Sequence, residues 1–491
     1  MSNFANVFGR ISDVTPTENG GKAFRTTKSS LLDLFANIGG MRQRDENDII
    51  NAYLAARAED KELSDNLILY ARNVRDAGLG ERRIGRILLK KLAEIDPAKV
   101  KRNFQKIVDT GRWDDLFVLE GTPVEGHMWK FIEAQFRQDV EDMKANKPIS
   151  LLAKWMPSIN TSSEDTKRLA RKICIVFSLT PRTYRKTLSA MRKYIDIVER
   201  KMSAGDWDSI NFEGVPSVAM SRYISTFNKH LPEKFSAYKE ALADGKTKVN
   251  AATLYPYDIT KKFFSKRTSW NYSNLKLDPV DEAQWKALPN YVNEDYDVVV
   301  LADVSGSMTV NDCQPLATSV GLATYFAQRN KGAYHNMYMT FTTNPHFIKI
   351  DDNWSLEDTL KYVTEKEVGY STDLDRAFAA IYRTAEAAKE APKALVVISD
   401  MEINRWYDGD YCDSIASKWA KKYAEIGLEA PKLILWNVES RGGRVLAQQG
   451  ENVGFCSGYG VGPFKNLTSL IEKSAYDSMV EILSQEAFQW N

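Results

Sequence analysis

From Ser29 to about Asp244 the chain offers one pattern, helix-period segments of about 11–20 residues parted by short breakers, with almost no strand signal. The segments run Asp48–Ala58, Glu62–Val74, Arg82–Ile95, Lys99–Thr110, His127–Ala145, Thr166–Ser178, Thr183–Met202 and Val215–Phe227. Within Tyr184–Met202, Tyr184, Leu188, Met191, Ile195 and Val198 recur at helical steps and form one apolar stripe. Arg185, Lys186, Arg192 and Lys193 fall largely outside that stripe. Such a helix buries one side and presents cations on another. Many antiparallel helices joined by short turns, without a strict sequence period, predict a HEAT-like repeat solenoid rather than a four-helix bundle.

Residues 245–295 mix Lys, Asn, Tyr and Pro and read as the end of the solenoid plus a connection. Beyond Asp295 the texture changes. Short apolar runs at Tyr296–Ala302, Asn336–Phe341, Ala394–Ser399 and Lys432–Val438 alternate with helical stretches at Cys313–Gln328, Thr372–Lys389, Ser414–Ile426 and Asn466–Leu483. That alternation predicts a doubly wound α/β unit, whose ligand crevice lies at the carboxyl ends of its strands. The expected organisation is a flexible leader over residues 1–28, rich in Gly, Thr, Ser and Asn, a helical-repeat domain over 29–290 and an α/β domain over 291–491.

The overall charge of +1 is a cancellation. Residues 1–290 carry 48 Lys+Arg against 37 Asp+Glu, net +11, while the remainder carries 18 against 28, net −10. Residues 151–200 alone hold 11 cations against 4 anions, net +7. A basic half points to a polyanionic partner. Cys174, Cys313, Cys412 and Cys456 lie too far apart for a zinc knuckle or a disulfide framework. No apolar stretch approaches the roughly 20 residues needed to span a bilayer, and Met1–Ser30 has no signal-peptide pattern. A cytoplasmic monomer is the expectation.

The sharpest local signal is Asp303-Val304-Ser305-Gly306-Ser307, placed where the apolar run Val298–Leu301 stops. Oxygen donors spaced by two converge as the chain turns, and hard oxygens suit Mg²⁺, with Mn²⁺ or Ca²⁺ as substitutes. One strand end cannot complete an octahedron, so other loops must contribute. Thr372, before a helix, and Asp400, ending the buried run Val396–Ser399, stand at suitable boundaries. Together these five residues resemble the metal-ion-dependent adhesion site of von Willebrand factor type A domains. The resemblance implies that the hydroxyls meet the metal directly, the aspartates act directly or through water, and one position stays open for a partner's acidic group. No general base accompanies the site, His335 and His346 being isolated, so no enzymatic activity is expected.

Four stretches of the basic half, Tyr70–Arg82 (YARNVRDAGLGER), Gly111–Leu116 (GRWDDL), Ser150–Pro157 (SLLAKWMP) and Tyr184–Arg192 (YRKTLSAMR), resemble the TROVE domain of Ro autoantigen proteins and a related set of bacterial, phage and plant proteins. The order, helices first and metal-binding unit second, matches too. The resemblance implies a ring of HEAT-like repeats closed by the type A domain. It also implies binding of single-stranded RNA ends in a basic central hole and of small structured Y-RNA-like RNA outside, in RNA quality control. The residues suited to phosphate are Lys154 beside Trp155, Arg182, Arg185, Lys186, Arg192 and Lys193, with Lys261, Lys262, Arg75 and Arg82 as further candidates. Tryptophan or tyrosine can stack an unpaired base. The glycine-rich Asp76–Arg82 segment lacks a Walker lysine and follows a helix, which excludes a nucleotide loop. The rival expectation is a protein-binding adaptor that captures an acidic partner group at the metal.

Overall fold

The computed structural model describes residues 12–74, 77–265, 276–292, 295–366, 371–406 and 413–491. Arg75, Cys412 and the first eleven residues of the expected leader lie outside the described residues.

The helical half runs through Ser30–Asn37, Glu46–Glu59, Lys61–Arg72, Arg82–Ile95, Pro97–Arg102, Phe104–Thr110, Glu125–Lys144, Glu164–Val176, Pro181–Tyr194, Val198–Ser203, Ser217–His230, Pro232–Ala243, Pro256–Phe264 and Pro279–Lys286. Their starts follow sequence chemistry. Ser29, Asp45, Asp60, Asp96, Ser163 and Thr180 each accept a hydrogen bond from a backbone N–H in the first turn, satisfying an otherwise orphaned donor. Pro97, Pro181, Pro232, Pro256 and Pro279 open helices where their missing N–H costs nothing. The expected helix Thr183–Met202 is two helices. Asp196 adopts a left-handed φ of 50°, and Val198 begins a helix that packs in a separate core with Phe212, Phe227 and Phe235.

The α/β half holds six strands, β3 (Val298–Asp303), β4 (Met337–Phe341), β5 (His346–Lys349), β6 (Ala394–Ser399), β7 (Lys432–Asn437) and β8 (Val453–Ser457). They follow a small antiparallel hairpin of β1 (Val14–Pro16) and β2 (Lys22–Phe24). The sheet order is β5-β4-β3-β6-β7-β8, parallel except for the edge strand β5. β3, β6 and β7 are buried along their whole length, as continuous β-branched and aliphatic runs must be when helices cover both faces. Between β3 and its neighbours β4 and β6 the winding reverses, which opens a crevice at the ends of β3 and β6.

Two expectations are corrected. β5 and β8 had no counterpart among the expected strands, and residues 12–28 are not a free leader. Gly21 N donates to Ile403 O at 3.1 Å, and Phe24 and Val445 exchange backbone hydrogen bonds of 2.7 and 3.0 Å, so the hairpin is sewn onto the α/β half. Gly21 permits this approach, because a Cβ there would sit 2.4 Å from Ile403 O.

Both ends of the helical series rest on the α/β half. At the first end, Gly39 N donates to Ser457 Oγ at 2.9 Å and Asn66 Nδ2 to Leu483 O at 3.0 Å. At the last, Thr260 Oγ1 donates to Ala317 O at 2.7 Å and Trp285 Nε1 to Gln328 Oε1 at 2.8 Å. The ends also meet each other: the Arg42 guanidinium lies 5.4 Å from the Tyr257 ring and 3.8 Å from that of Tyr459. Among the described residues no helix is long and apolar enough to cross a membrane.

Candidate metal site and basic cavity

The crevice gathers the predicted donors. Asp303 ends β3, Ser305 and Ser307 turn the chain away from it, and Asp400 follows β6; Asp303, Ser305, Thr372 and Asp400 are all buried. Asp303 Oδ1 accepts from Ser305 N at 2.9 Å and Oδ2 from Ser399 Oγ at 2.6 Å. Ser305 Oγ lies 3.1 Å from Ser307 Oγ, and Ser307 in turn hydrogen-bonds Asp400. Thr372 is tied to the loop after β6, since Asn404 N donates to its carbonyl at 2.9 Å and its own N–H to Asn404 Oδ1 at 3.2 Å.

Two buried carboxylates at one strand-end crest carry an electrostatic cost. Burial, reinforced by the negative charge of Asp400, pushes the Asp303 carboxyl up to about 7. Burial also raises Asp400, against the pull of Arg441, whose Nη2 lies 3.0 Å from Asp400 Oδ2. Around the crest Asp303, Asp400, Glu402, Glu439 and Glu18 meet the two guanidiniums of Arg441 and Arg444, which leaves an excess of negative charge. Among the described residues no group of three or more His, Cys, Asp or Glu side chains is arranged to hold a metal. The donor set here is different, two aspartates with three hydroxyls, and its hard oxygens and uncompensated charge fit a divalent cation.

A pH-dependent signature follows. Asp303 ionises near its ordinary 3.8 when unfolded but holds its proton up to about 7 in the fold. The metal-free fold is therefore favoured at low pH and loses that advantage as pH climbs between those values. A cation that neutralises the site removes the penalty. Melting in EDTA and in Mg²⁺ is expected to show a larger metal-induced rise at pH 8 than at pH 5; an equal rise at both would contradict it.

The second feature is a cavity of about 1160 Å³ in the helical half. All four motif stretches reach its wall: Arg72 and Arg82 from the first, Gly111–Trp113 from the second, Lys154 and Trp155 from the third, Tyr184, Arg185 and Arg192 from the fourth. Arg200 and Arg222 join them, giving eight cations against Asp109 and Glu199. The Arg112 guanidinium lies 4.4 Å from the Trp155 ring. Burial, with Arg72 and Arg82 nearby, holds Arg112 below the ordinary arginine value, against the pull of Asp114. Among the described residues Arg82, Arg185 and Arg200 form no ion pair. Leu151 and Val218, on the same wall, are 55% and 43% exposed, leaving apolar surface beside the cations.

The predicted phosphate contacts divide. Arg82, Lys154, Arg185 and Arg192 line the cavity, whereas Arg182, Lys186 and Lys193 are exposed outside its lining. Lys261 and Lys262 lie on Pro256–Phe264, away from the cavity wall, and Lys262 pairs with Asp281. Arg192 has a structural duty as well, donating to Ala153 O at 2.8 Å, Ser158 Oγ at 2.8 Å and Met156 O at 2.6 Å. Arg72, Arg112, Arg200 and Arg222 escaped the sequence reading. The YARNVRDAGLGER and GRWDDL stretches marked the neighbourhoods of Arg72 and Arg112, but no local pattern singled out Arg200 or Arg222.

A domain of unknown function, DUF2828, matches residues 130–295. A second one, DUF7788, matches residues 297–486. An uncharacterised protein of Acanthamoeba polyphaga mimivirus is 26% identical over 96% of this chain and 88% of its own. Among solved structures, the Ro (RSR) protein of Deinococcus radiodurans is similar at 13% identity and a TM-score of 0.44, over 94% of this chain and 100% of that one.

Proposed function

We propose that this chain is a non-enzymatic, cytoplasmic RNA-binding scaffold of the Ro-like kind, a helical ring closed on a metal-holding α/β unit. The observation that carries the reading is the cavity, where four separated sequence motifs converge to line one concave space with eight cations and two anions. At about 1160 Å³ it exceeds the ~300–1,000 Å³ usual for small-molecule pockets. Phosphates meet Arg82, Arg112, Arg185 and Arg200, and an unpaired base stacks near Trp155, as single-strand binding requires. A single-stranded RNA end is the ligand that combines both demands. The exposed Arg182, Lys186 and Lys193 offer a separate outer surface for a small structured RNA.

In this reading Asp303, Ser305, Ser307, Thr372 and Asp400 hold one Mg²⁺. The ion supplies a positive charge that unites three separate loops at the crest of the sheet.

The test is quantitative. Affinity for an oligonucleotide with a free single-stranded end is expected to fall linearly in log–log with salt, by about 0.7 per phosphate contacted. Four such contacts predict a slope near −2.8 by the same relation, roughly. Fluorescence anisotropy across a salt series checks it, with a blunt duplex of equal charge as control. A flat salt response, or equal affinity for the blunt duplex, would count against the cavity.

A further inference from the structure

We propose that the tip of the β1–β2 hairpin, Glu18 and Asn19, is the metal site's resident partner, so that binding of a divalent ion and docking of the hairpin favour each other. The proposal rests on the metal-site reading above.

Two contacts link the tip to the donor set. Asn19 Nδ2 reaches Thr372 Oγ1 at 3.5 Å and donates to the Glu402 carbonyl at 2.5 Å. The Glu18 carboxylate accepts from Arg441 Nη1 at 2.7 Å, while Arg441 Nη2 donates to Asp400 Oδ2 at 3.0 Å and to the Ser307 carbonyl at 2.9 Å. The base of the tip is anchored on the loop that carries Asp400. Thr17 Oγ1 donates to Ile403 O at 2.6 Å, and Glu18 N to Glu402 Oε2 at 2.6 Å. The hairpin therefore touches both sides of the site, the Thr372 side and the Asp400 side.

Arg441 explains why Glu18 matters. It puts a guanidinium 3.0 Å from a carboxylate that a metal needs. Left alone, that charge repels a divalent ion; paired with Glu18, it is offset. Glu18 is thus a positioning residue acting through Arg441. Linkage makes the effect reciprocal, because whatever tightens metal binding through the docked hairpin must also tighten docking when metal binds.

The experiment uses the full chain and two readouts. Calorimetric titration with Mg²⁺, or with Mn²⁺ as a spectroscopic probe, gives affinity for the wild type and for Glu18→Gln, Arg441→Gln and the double variant. Hydrogen exchange over residues 17–21 reports docking. The expected result is a roughly five- to tenfold weaker affinity in Glu18→Gln, the low end of measured coupling between sites. That loss should vanish when Arg441→Gln is already present, since removing the cation leaves nothing for Glu18 to offset. Mg²⁺ should slow exchange at the tip in the wild type and not in Asp303→Ala. If Glu18→Gln binds as tightly as wild type and exchange ignores Mg²⁺, the hairpin is a bystander and the metal site stands without it. If the wild type binds neither Mg²⁺ nor Mn²⁺, the metal reading fails and takes this proposal with it.

Discussion

Reversing two charges, Arg112→Glu with Arg185→Glu, is expected to weaken binding of a single-stranded RNA end by at least about 100-fold, because each loses a charge-assisted phosphate contact and gains a repulsive one. Both residues line the cavity. Arg185 pairs with no described carboxylate, so its removal leaves no buried partner behind. Arg112 rests on Trp155, with its centre 4.4 Å from the ring, so its substitution also disturbs the surface on which a base would stack. The slope of log affinity against log salt should shrink by about 1.4, two contacts at 0.7 each. Lys186→Glu with Lys193→Glu is the matched control: the same change of charge, on the helix that carries Arg185 but outside the cavity lining. Arg192 is a poor choice despite its position, because its guanidinium holds the backbone of residues 153–156. Equal losses from the cavity pair and the control pair would reduce the interaction to bulk charge.

That contrast within one helix shows what the sequence conveys. The stripe Tyr184, Leu188 and Met191 is buried as its period demands, and short continuous apolar runs likewise announced β3, β6 and β7. The split at Asp196 was not legible, because the apolar spacing continues through Ile195 and Val198 while the backbone turns left-handed between them. β8 was missed because Gly454 interrupts a five-residue strand; no side chain fits there, a Cβ lying 2.9 Å from Ile434 Cδ1 and 3.0 Å from Leu470 O. β5 exposes three of its four residues at a sheet edge, which leaves little apolar signal. The hairpin of residues 14–24 has two strands of three residues, too short to announce themselves, and its stability comes from partners near residues 403 and 445.

The site follows the same rule. The five residues proposed to hold a metal stand at or beside the ends of elements with local sequence signals, so an ordered set of strand and helix boundaries was enough to bring them to one crevice. Glu18, Asn19 and Arg441 sit in turns and loops, joined across more than 400 residues of sequence in the case of Glu18 and Arg441. No periodicity encodes such a pairing. The cavity is intermediate: its motifs were visible as segments, but that they line one space depends on how distant helices pack.

Substituting Asp115→Ala is expected to cost about 3–5 kcal/mol of stability, the range for breaking a buried ion pair from one side. Asp115 is 1% exposed and its two oxygens serve three partners. Oδ2 accepts from Arg72 Nε at 2.8 Å and from the Arg112 backbone N–H at 2.9 Å, while Oδ1 accepts from Arg86 Nε at 2.6 Å. Alanine would leave a buried Arg72 guanidinium without its carboxylate, and Arg86 with only Asp114 at 2.6 Å. Gly111 packs against the same carboxylate, a Cβ there falling 2.2 Å from Asp115 Oδ2, so Gly111→Ala should weaken the same node. Because Asp115 fixes the backbone of Arg112, the loss should reach the cavity wall and lower RNA affinity in molecules that remain folded. Urea denaturation of the variant checks the first effect and anisotropy at low temperature the second. The cost is of desolvated charge, so replacing Arg72, Arg86 and Asp115 together by apolar residues of similar volume should destabilise less than Asp115→Ala alone. A triple variant less stable than the single one would show that these side chains act mainly through shape.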